Sequence, residues 1–159
     1  MTQDYKYNSC MFPAPPFQIL PAGLHDLGEV RRVEQACFAN DAWPLLDLIA
    51  VLTMPGIVRL KAVSEEHMVA FAAAELRSLE GLGWITTIGV LPEFRQHGIG
   101  KALLDACEQQ AGFPRVRLCV RKSNQPAIHM YERAGYQLVD IWPHYYQGGE
   151  DALVMEKKR

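Results

Sequence analysis

The chain lacks an excess of either charge. Sixteen Lys and Arg stand against 18 Asp and Glu, for a net charge of -2. A basic field of the kind that holds nucleic acid is therefore missing, and no nucleic-acid partner is expected. Long hydrophobic runs are also missing. No apolar stretch approaches the ~20 residues that span a bilayer, so no membrane association is expected. The opening residues Met1-Thr2-Gln3-Asp4-Tyr5-Lys6 do not follow the charged-then-apolar order of a signal peptide. A cytoplasmic protein is the expectation. Cysteine is sparse: Cys10, Cys37, Cys107 and Cys119 include no Cys-x-x-Cys pair. That excludes a disulfide scaffold and favours reduced thiols. No His/Cys cluster has ligand spacing, so no metal is expected.

What is present is apolar material in short, punctuated runs. With 49% hydrophobic residues in 159, one domain can bury ~70% of its unfolded surface without staples. Residues 1–16 read as an N-terminal tail, because Pro13, Pro15 and Pro16 prevent regular structure. Residues 17–159 read as a single domain. A short strand at Phe17–Leu20 precedes a helical pattern from Leu24 to Phe38, where Leu27, Val30, Val33 (with Glu34), Cys37 and Phe38 recur at three- and four-residue steps. A second helix is expected over Leu45–Leu52. Two strands follow, Ile57–Val63 and Met68–Leu76, antiparallel across a short turn. The alanine-rich second strand could be helical by propensity, but Val69, Phe71 and the short hairpin spacing favour strand.

Trp84 to Leu91 is a further strand, and Arg95-Gln96-His97-Gly98-Ile99-Gly100-Lys101 follows it. An amphipathic helix then runs to Ala111. Strand, glycine turn and helix in that order make an anion site: the first helical N–H groups have no partners and carry partial positive charge. Arg95, His97 and Lys101 could add charge on the same side. A dinucleotide fingerprint would need glycine at Leu103. A P-loop would need glycine at Arg95 and Ser or Thr at Ala102. An Arg-x-x-Gly-x-Gly loop for the pyrophosphate of coenzyme A fits the residues as they stand, and an ordinary tight turn remains the alternative. A strand Val116–Arg121 then returns parallel to the first. Asn124 caps a helix with Pro126 in its first turn, and strands at Tyr136–Trp142 and Asp151–Glu156 end the chain. The class is α/β (α+β), with a mixed central sheet and helices on both faces.

At this point the sequence resembles the GNAT superfamily of acetyl-CoA-dependent N-acetyltransferases. The likeness rests on Ile88-Gly89-Val90-Leu91-Pro92, on Arg95-x-x-Gly98-x-Gly100, and on Val120-Arg121-Lys122-Ser123-Asn124 with Met130-Tyr131-Glu132-Arg133-Ala134-Gly135-Tyr136. The terminal Tyr145-Tyr146 and Gly149-Glu150-Asp151-Ala152 segment is similar to the bacterial ribosomal-protein-alanine acetyltransferases and their archaeal relatives. The likeness is strong from Trp84 onward. It is looser from Phe17 to Leu76, where Glu34-x-x-Cys37-Phe38 and Ala42-Trp43-Pro44 fit, and residues 1–16 find no counterpart. It implies a mostly antiparallel sheet of six to seven strands. It also implies direct acetyl transfer from acetyl-CoA, within a ternary complex, to a protein or peptide N-terminus.

The resemblance assigns roles. The N–H groups of Gln96, His97, Gly98, Ile99, Gly100 and Lys101, with Arg95, would hold the pyrophosphate. Ile88, Gly89 and Val90 would pair with the pantetheine like an added strand, Gly89 allowing close approach and the Val90 N–H polarising the carbonyl. Tyr131 stands where the family carries its general acid; a core-facing tyrosine is the alternative. Asn124 would cap its helix and contact the coenzyme arm. Tyr145 and Tyr146 would shape the acceptor cleft unless they are a sheet-packing pair. Trp43 is a candidate for the same cleft, a core anchor being the alternative. The departure is Cys119, which replaces the glutamate that the subgroup uses as general base. Glu75 and His129 are further candidates for that role, with plain solvent exposure as the alternative, and Glu150 reads as structural. An α-amine with pKa ~7.8 is neutral in roughly one molecule in seven at pH 7, whereas a lysine amine near ~10.4 is neutral about once in a few thousand. A weak base therefore favours an α-amine acceptor by ~3.5 kcal/mol. Two other functions fit the motifs: acetylation of a small-molecule amine, and an acyl-CoA-binding module with weak or no catalysis. A monomer or homodimer is the expected assembly.

Overall fold

The computed structural model describes residues 15–159. The tail expectation for residues 1–14, with Cys10 and Pro13, lies outside the described residues. In order, the chain forms β1 (Gln18–Pro21), α1 (Leu27–Phe38), α2 (Leu45–Thr53), β2 (Ile57–Ser64), β3 (His67–Arg77), β4 (Leu82–Val90), α3 (Ile99–Ala111), β5 (Arg115–Arg121), α4 (Gln125–Arg133), β6 (Gln137–Trp142) and β7 (Ala152–Lys158). The strands make one seven-stranded sheet in the order β1-β2-β3-β4-β5-β7-β6. Only β4 and β5 pair in parallel; the other neighbours are antiparallel. The mixed, mostly antiparallel sheet expected from the sequence is what forms. The parallel pair follows from α3, which carries the chain back along the sheet before β5 begins.

Two details depart from the expected boundaries. The segment expected to start helical at Leu24 begins instead as a 3-10 turn, Leu24–Asp26. Asp26 accepts the Gly23 amide at 3.0 Å and Lys61 at 2.7 Å, which fixes that turn before α1 starts. The β2–β3 hairpin closes with Ser64 opposite His67, and both turn residues, Glu65 and Glu66, have positive φ (49° and 66°). Two such residues give the right-handed twist that a two-residue hairpin needs, here without the usual Asn-Gly.

Helices cover both faces and create two cores. Ala70, Ala72 and Ala74 of β3 pack with Ile99, Leu103 and Leu104 of α3. Phe71 and Ala73, on the opposite face, pack with Val30 and Val33 of α1 and Leu48 of α2. The alanine run is therefore strand because both of its faces are buried, and the two helix layers are worth more than local propensity.

Candidate active site

The sheet opens where the functional motifs meet. β4 and β5 pair from Leu82↔Arg115 to Ile85↔Leu118, and there the pairing stops. β4 continues to Val90 on β3, and β5 continues to Arg121 on β7. A bulge sits at the parting: Ala73 faces Thr87 while Ala74 faces Ile85, so Thr86 is the extra residue. The bulge breaks the alternation. Ile85, Ile88 and Val90 pack toward α3, while Thr87 and Gly89 look toward α1.

The main chain at the end of β4 is open on one side. Leu91 donates its N–H to Val69 O on β3 at 2.9 Å. Strand alternation then points the N–H and C=O of Val90 the other way, into the gap left by β5. Arg95 Nε takes the Val90 carbonyl at 3.0 Å. The Val90 amide thus faces the gap, where a carbonyl oxygen gaining charge would find a donor.

Beside this edge lies the glycine turn. Gln96 has φ 64° and Gly98 φ 79°, and a Cβ on Gly98 would meet nothing within 4 Å. The glycine is there for the left-handed backbone, not for lack of room. The first α3 bond runs from Ala102 N to Gly98 O at 3.0 Å, and no side chain caps the helix. The N–H groups of Ile99, Gly100 and Lys101 therefore have no acceptor within the helix. Gly100 is held between the sheet and α4: its Cβ position is 3.4 Å from Met130 Sδ and 3.6 Å from Val90 Cγ2. His97 Nδ1 is buried without a partner among the described residues. Lys101 is engaged with Asp105 at 2.5 Å along the outer face of α3. Uncapped amides, an orphaned ring nitrogen and an unpaired strand edge fit a ligand with an anionic group and an amide-bearing arm.

Gly89 needs a different explanation from the one expected. A Cβ there would lie 3.1 Å from Cys37 Sγ and 3.1 Å from Phe38 Cε2. The missing side chain makes room for the end of α1, and the ligand-facing edge is main chain.

Tyr131 and Cys119 lie on opposite faces of the sheet. Tyr131 belongs to the α3–α4 core, 7% exposed, with its ring tilted against Tyr136 at 5.8 Å. Burial pushes its hydroxyl up to about 12, so it stays protonated at neutral pH. Val116, Leu118 and Val120 of β5 fill the same core, so alternation turns Cys119 and Arg121 to the other face. Burial raises the Cys119 thiol to about 11, which leaves roughly one thiolate in ten thousand at pH 7. That is the wrong direction for a base. Neither expected substitute stands ready: Glu75 is paired with Arg77 at 3.1 Å, and His129 is exposed on α4. Asn124 Oδ1 accepts the Ala127 amide at 3.3 Å, the expected cap.

Tyr146 is half-buried, and burial raises its hydroxyl above the usual range. Its ring meets Tyr145 edge-on at 5.1 Å, and Tyr145 leans on Trp142 at 5.3 Å. Trp142 stacks on Trp84 at 5.7 Å. Arg121 lies 4.5 Å over Tyr146 and Arg77 4.7 Å over Trp84. The tyrosine pair thus ends a row of aromatic rings closed by a guanidinium at each side. Trp43 packs against the α1–α2 core, the anchor alternative.

Sequence reasoning missed Glu34 as a site neighbour. It is 1% exposed, and its Oε1 accepts the Thr87 hydroxyl at 2.7 Å. Its Oε2 is buried without a partner among the described residues. Burial holds its carboxyl above the usual range, against the opposing effects of Thr87 and the Trp43 main chain. The signal was a carboxylate within the apolar periodicity of α1.

Residues 29–136 match the model of the Acetyltransferase (GNAT) family. This chain belongs to that family. An N-alpha-acetyltransferase of Sulfurisphaera tokodaii is 40% identical over 85 residues, 51% of this chain and 51% of that protein; the chain thus spans about half of that relative. The N-alpha-acetyltransferase of Sulfolobus acidocaldarius is 29% identical over 153 residues, 87% of this chain and 90% of that one. The crystal structure of the ribosomal-protein-S18-alanine N-acetyltransferase from Escherichia coli superposes with a TM-score of 0.82 at 26% identity, covering 90% of this chain and 94% of that one. As a GNAT family member the chain is an acetyltransferase. Among the described residues, no helix is long and apolar enough to cross a membrane.

Proposed function

We propose that this chain transfers the acetyl group of acetyl-CoA to the α-amine of a protein or peptide N-terminus in the cytoplasm. The observation that carries the reading is the open edge of β4 ending beside the uncapped start of α3. The amides of residues 96–101 hold the pyrophosphate, the edge 88–90 holds the pantetheine arm, and Asn124 contacts the same arm. Acetyl-CoA supplies an activated acetyl thioester. The Val90 amide donates to the carbonyl oxygen as it gains charge. The neutral amine attacks the carbonyl carbon and the C–S bond breaks. Tyr131, protonated through the working pH range, gives its proton to the departing sulfur and is restored through water by the proton that the acetylated nitrogen sheds. Tyr145 and Tyr146 close over the acceptor.

The α-amine acceptor follows from the relatives above and from Cys119. A site whose base position holds a neutral thiol works best on an amine that is already part-neutral, and an α-amine near ~7.8 is. An acceptor library of peptides with varied first residues, read by release of coenzyme A thiol, tests this. Turnover of small amines with none of any peptide would replace the acceptor assignment. A second reading rests on the same neutral Cys119: an acyl-CoA-binding module with little catalysis. It requires tight acetyl-CoA binding with no turnover across the whole library.

A further inference from the structure

Three connections surround the aromatic row, and one side chain joins them. The first is the 3-10 turn Ala39–Asp41 after α1. The second is the loop between β6 and β7, which carries Tyr145, Tyr146, Gln147 and Glu150. The third is the link from β5 to α4, which carries Ser123 and Asn124 and positions Tyr131. The side chain of Arg121, the last residue of β5, is bound to the first two, and through Glu150 to the third. Its Nε donates to Asp41 Oδ2 at 2.9 Å, and its Nη2 reaches the same oxygen. Nη1 donates to Glu150 Oε2 at 2.5 Å, and Nη2 also reaches Gln147 O at 3.3 Å. The carboxylates then pass the link onward. Asp41 Oδ1 accepts the Gln147 amide at 3.1 Å, and Glu150 Oε1 accepts the Ser123 amide at 2.7 Å. The guanidinium also covers the Tyr146 ring.

We propose that Arg121 is a positioning residue that sets the width of the acceptor cleft, by fixing the α1–α2 connection and the β6–β7 loop to the helix that carries Tyr131. The proposal rests on the acceptor side of the function proposed above. The Ala39–Asp41 turn, the β6–β7 loop and the β5–α4 link contribute no residue to either hydrophobic core, and Trp43 anchors only the far end of the α1–α2 connection. Their relative placement therefore depends on polar contacts, four of which pass through one planar group, beside the direct Asp41–Gln147, Glu150–Ser123 and Lys122–Asp151 contacts. Removing Arg121 leaves Asp41 and Glu150 as facing like charges, so the two walls move apart. Lysine keeps the charge but cannot satisfy two carboxylates, a carbonyl and a ring at once. The coenzyme amides of residues 96–101 lie in the glycine turn and the first turn of α3, and Arg121 contacts none of them.

The test is a steady-state comparison of wild type, Arg121→Ala and Arg121→Lys, with the best acceptor from the library. The expected result is a KM for the acceptor raised about tenfold in Arg121→Ala and about threefold in Arg121→Lys. The KM for acetyl-CoA and kcat should each stay within roughly twofold. A uniform loss of kcat, or both KM values rising together, would make Arg121 a stability residue and overturn the proposal. So would an unchanged acceptor KM. If Arg121→Ala does not fold, Asp41→Asn carries the same test, with an acceptor KM raised about threefold expected and no change overturning the idea. Failure of every peptide with wild type would remove the peptide assignment alone, and the KM split would then be read on the amine that works. Hydrogen exchange supplies an acceptor-free arm: amides of residues 40–43 and 146–151 should exchange faster together in Arg121→Ala. Unchanged exchange in both segments overturns the bridge.

Discussion

Cys119→Glu gives the sharpest view of how the acceptor loses its proton. In the protein as it stands, burial holds the thiol near 11, so at pH 6 about one molecule in 100,000 carries a thiolate. Cys119 then takes no part in deprotonation, and kcat/KM should follow the neutral fraction of the amine itself. For an α-amine near ~7.8 that fraction falls from roughly one half near pH 8 to about one in 60 at pH 6. The profile should have unit slope on its acid side and level off above ~8. A carboxylate at position 119 would be placed on β5, facing the same side as Tyr146 and Arg121, where the neutral thiol is now. A positioned base contributes about 10² or more when geometry is good. Half-burial of the site and the neighbouring tyrosines reduce that, so a gain of about tenfold at pH 6 is the expected size. The gain should shrink to nothing above pH 8.5, where the amine is neutral without help. The assay is coenzyme A thiol release with a peptide acceptor from pH 5.5 to 9. A wild-type profile already flat down to pH 6 would refute the reasoning, because it would show that another group already acts as base.

Three other substitutions test separate parts of the structure. Tyr131→Phe should lower kcat by about 10²-fold or more with acetyl-CoA affinity retained, and unchanged kcat would remove Tyr131 from the proton path. Gly89→Ala places a Cβ 3.1 Å from Cys37 Sγ and Phe38 Cε2, and should cost about 1–3 kcal/mol in urea unfolding by overpacking. Glu34 has a raised carboxyl pKa caused by burial, so its contribution to stability is complete below the unfolded value near ~4.5 and is lost as pH rises through the folded value. Glu34→Gln mimics the protonated form and keeps an acceptor for Thr87. The variant should therefore melt higher than wild type at pH 7–8, with the difference closing toward pH 4; a lower melting temperature at every pH would contradict this.

Much of the fold was legible because its signals are local. The Asn124 cap, the helix end at Ala111 and the glycine turn at Gly98 each act within a few residues. The crossover from β4 through α3 to β5 followed from helix length alone. What was not legible depends on residues distant in sequence. Thr87 meets Glu34 across 53 positions, and Arg121 meets Asp41 across 80. No short-range pattern announces either pair. Gly89 was half legible for a related reason: the sequence shows that a side chain is missing but not that Cys37 and Phe38 fill its place. The trace left by Glu34, a carboxylate among apolar periodic positions, was visible and was passed over as helix amphipathicity. Cys119 was readable in identity but not in charge, because its protonation is set by burial that only the packed sheet creates.

The small side chains of β3 have a bearing on how such a protein can diversify. Ala70, Ala72 and Ala74 touch the layer that carries the glycine turn, while Phe71 and Ala73 touch the α1–α2 layer. The strand works as a partition between two compartments that share Phe94 as a neighbour. Mutations that reshape the α1–α2 layer can accumulate without passing strain to α3, and the reverse holds as well. The α1–α2 layer can therefore drift across descendants while the α3 layer is inherited nearly unaltered.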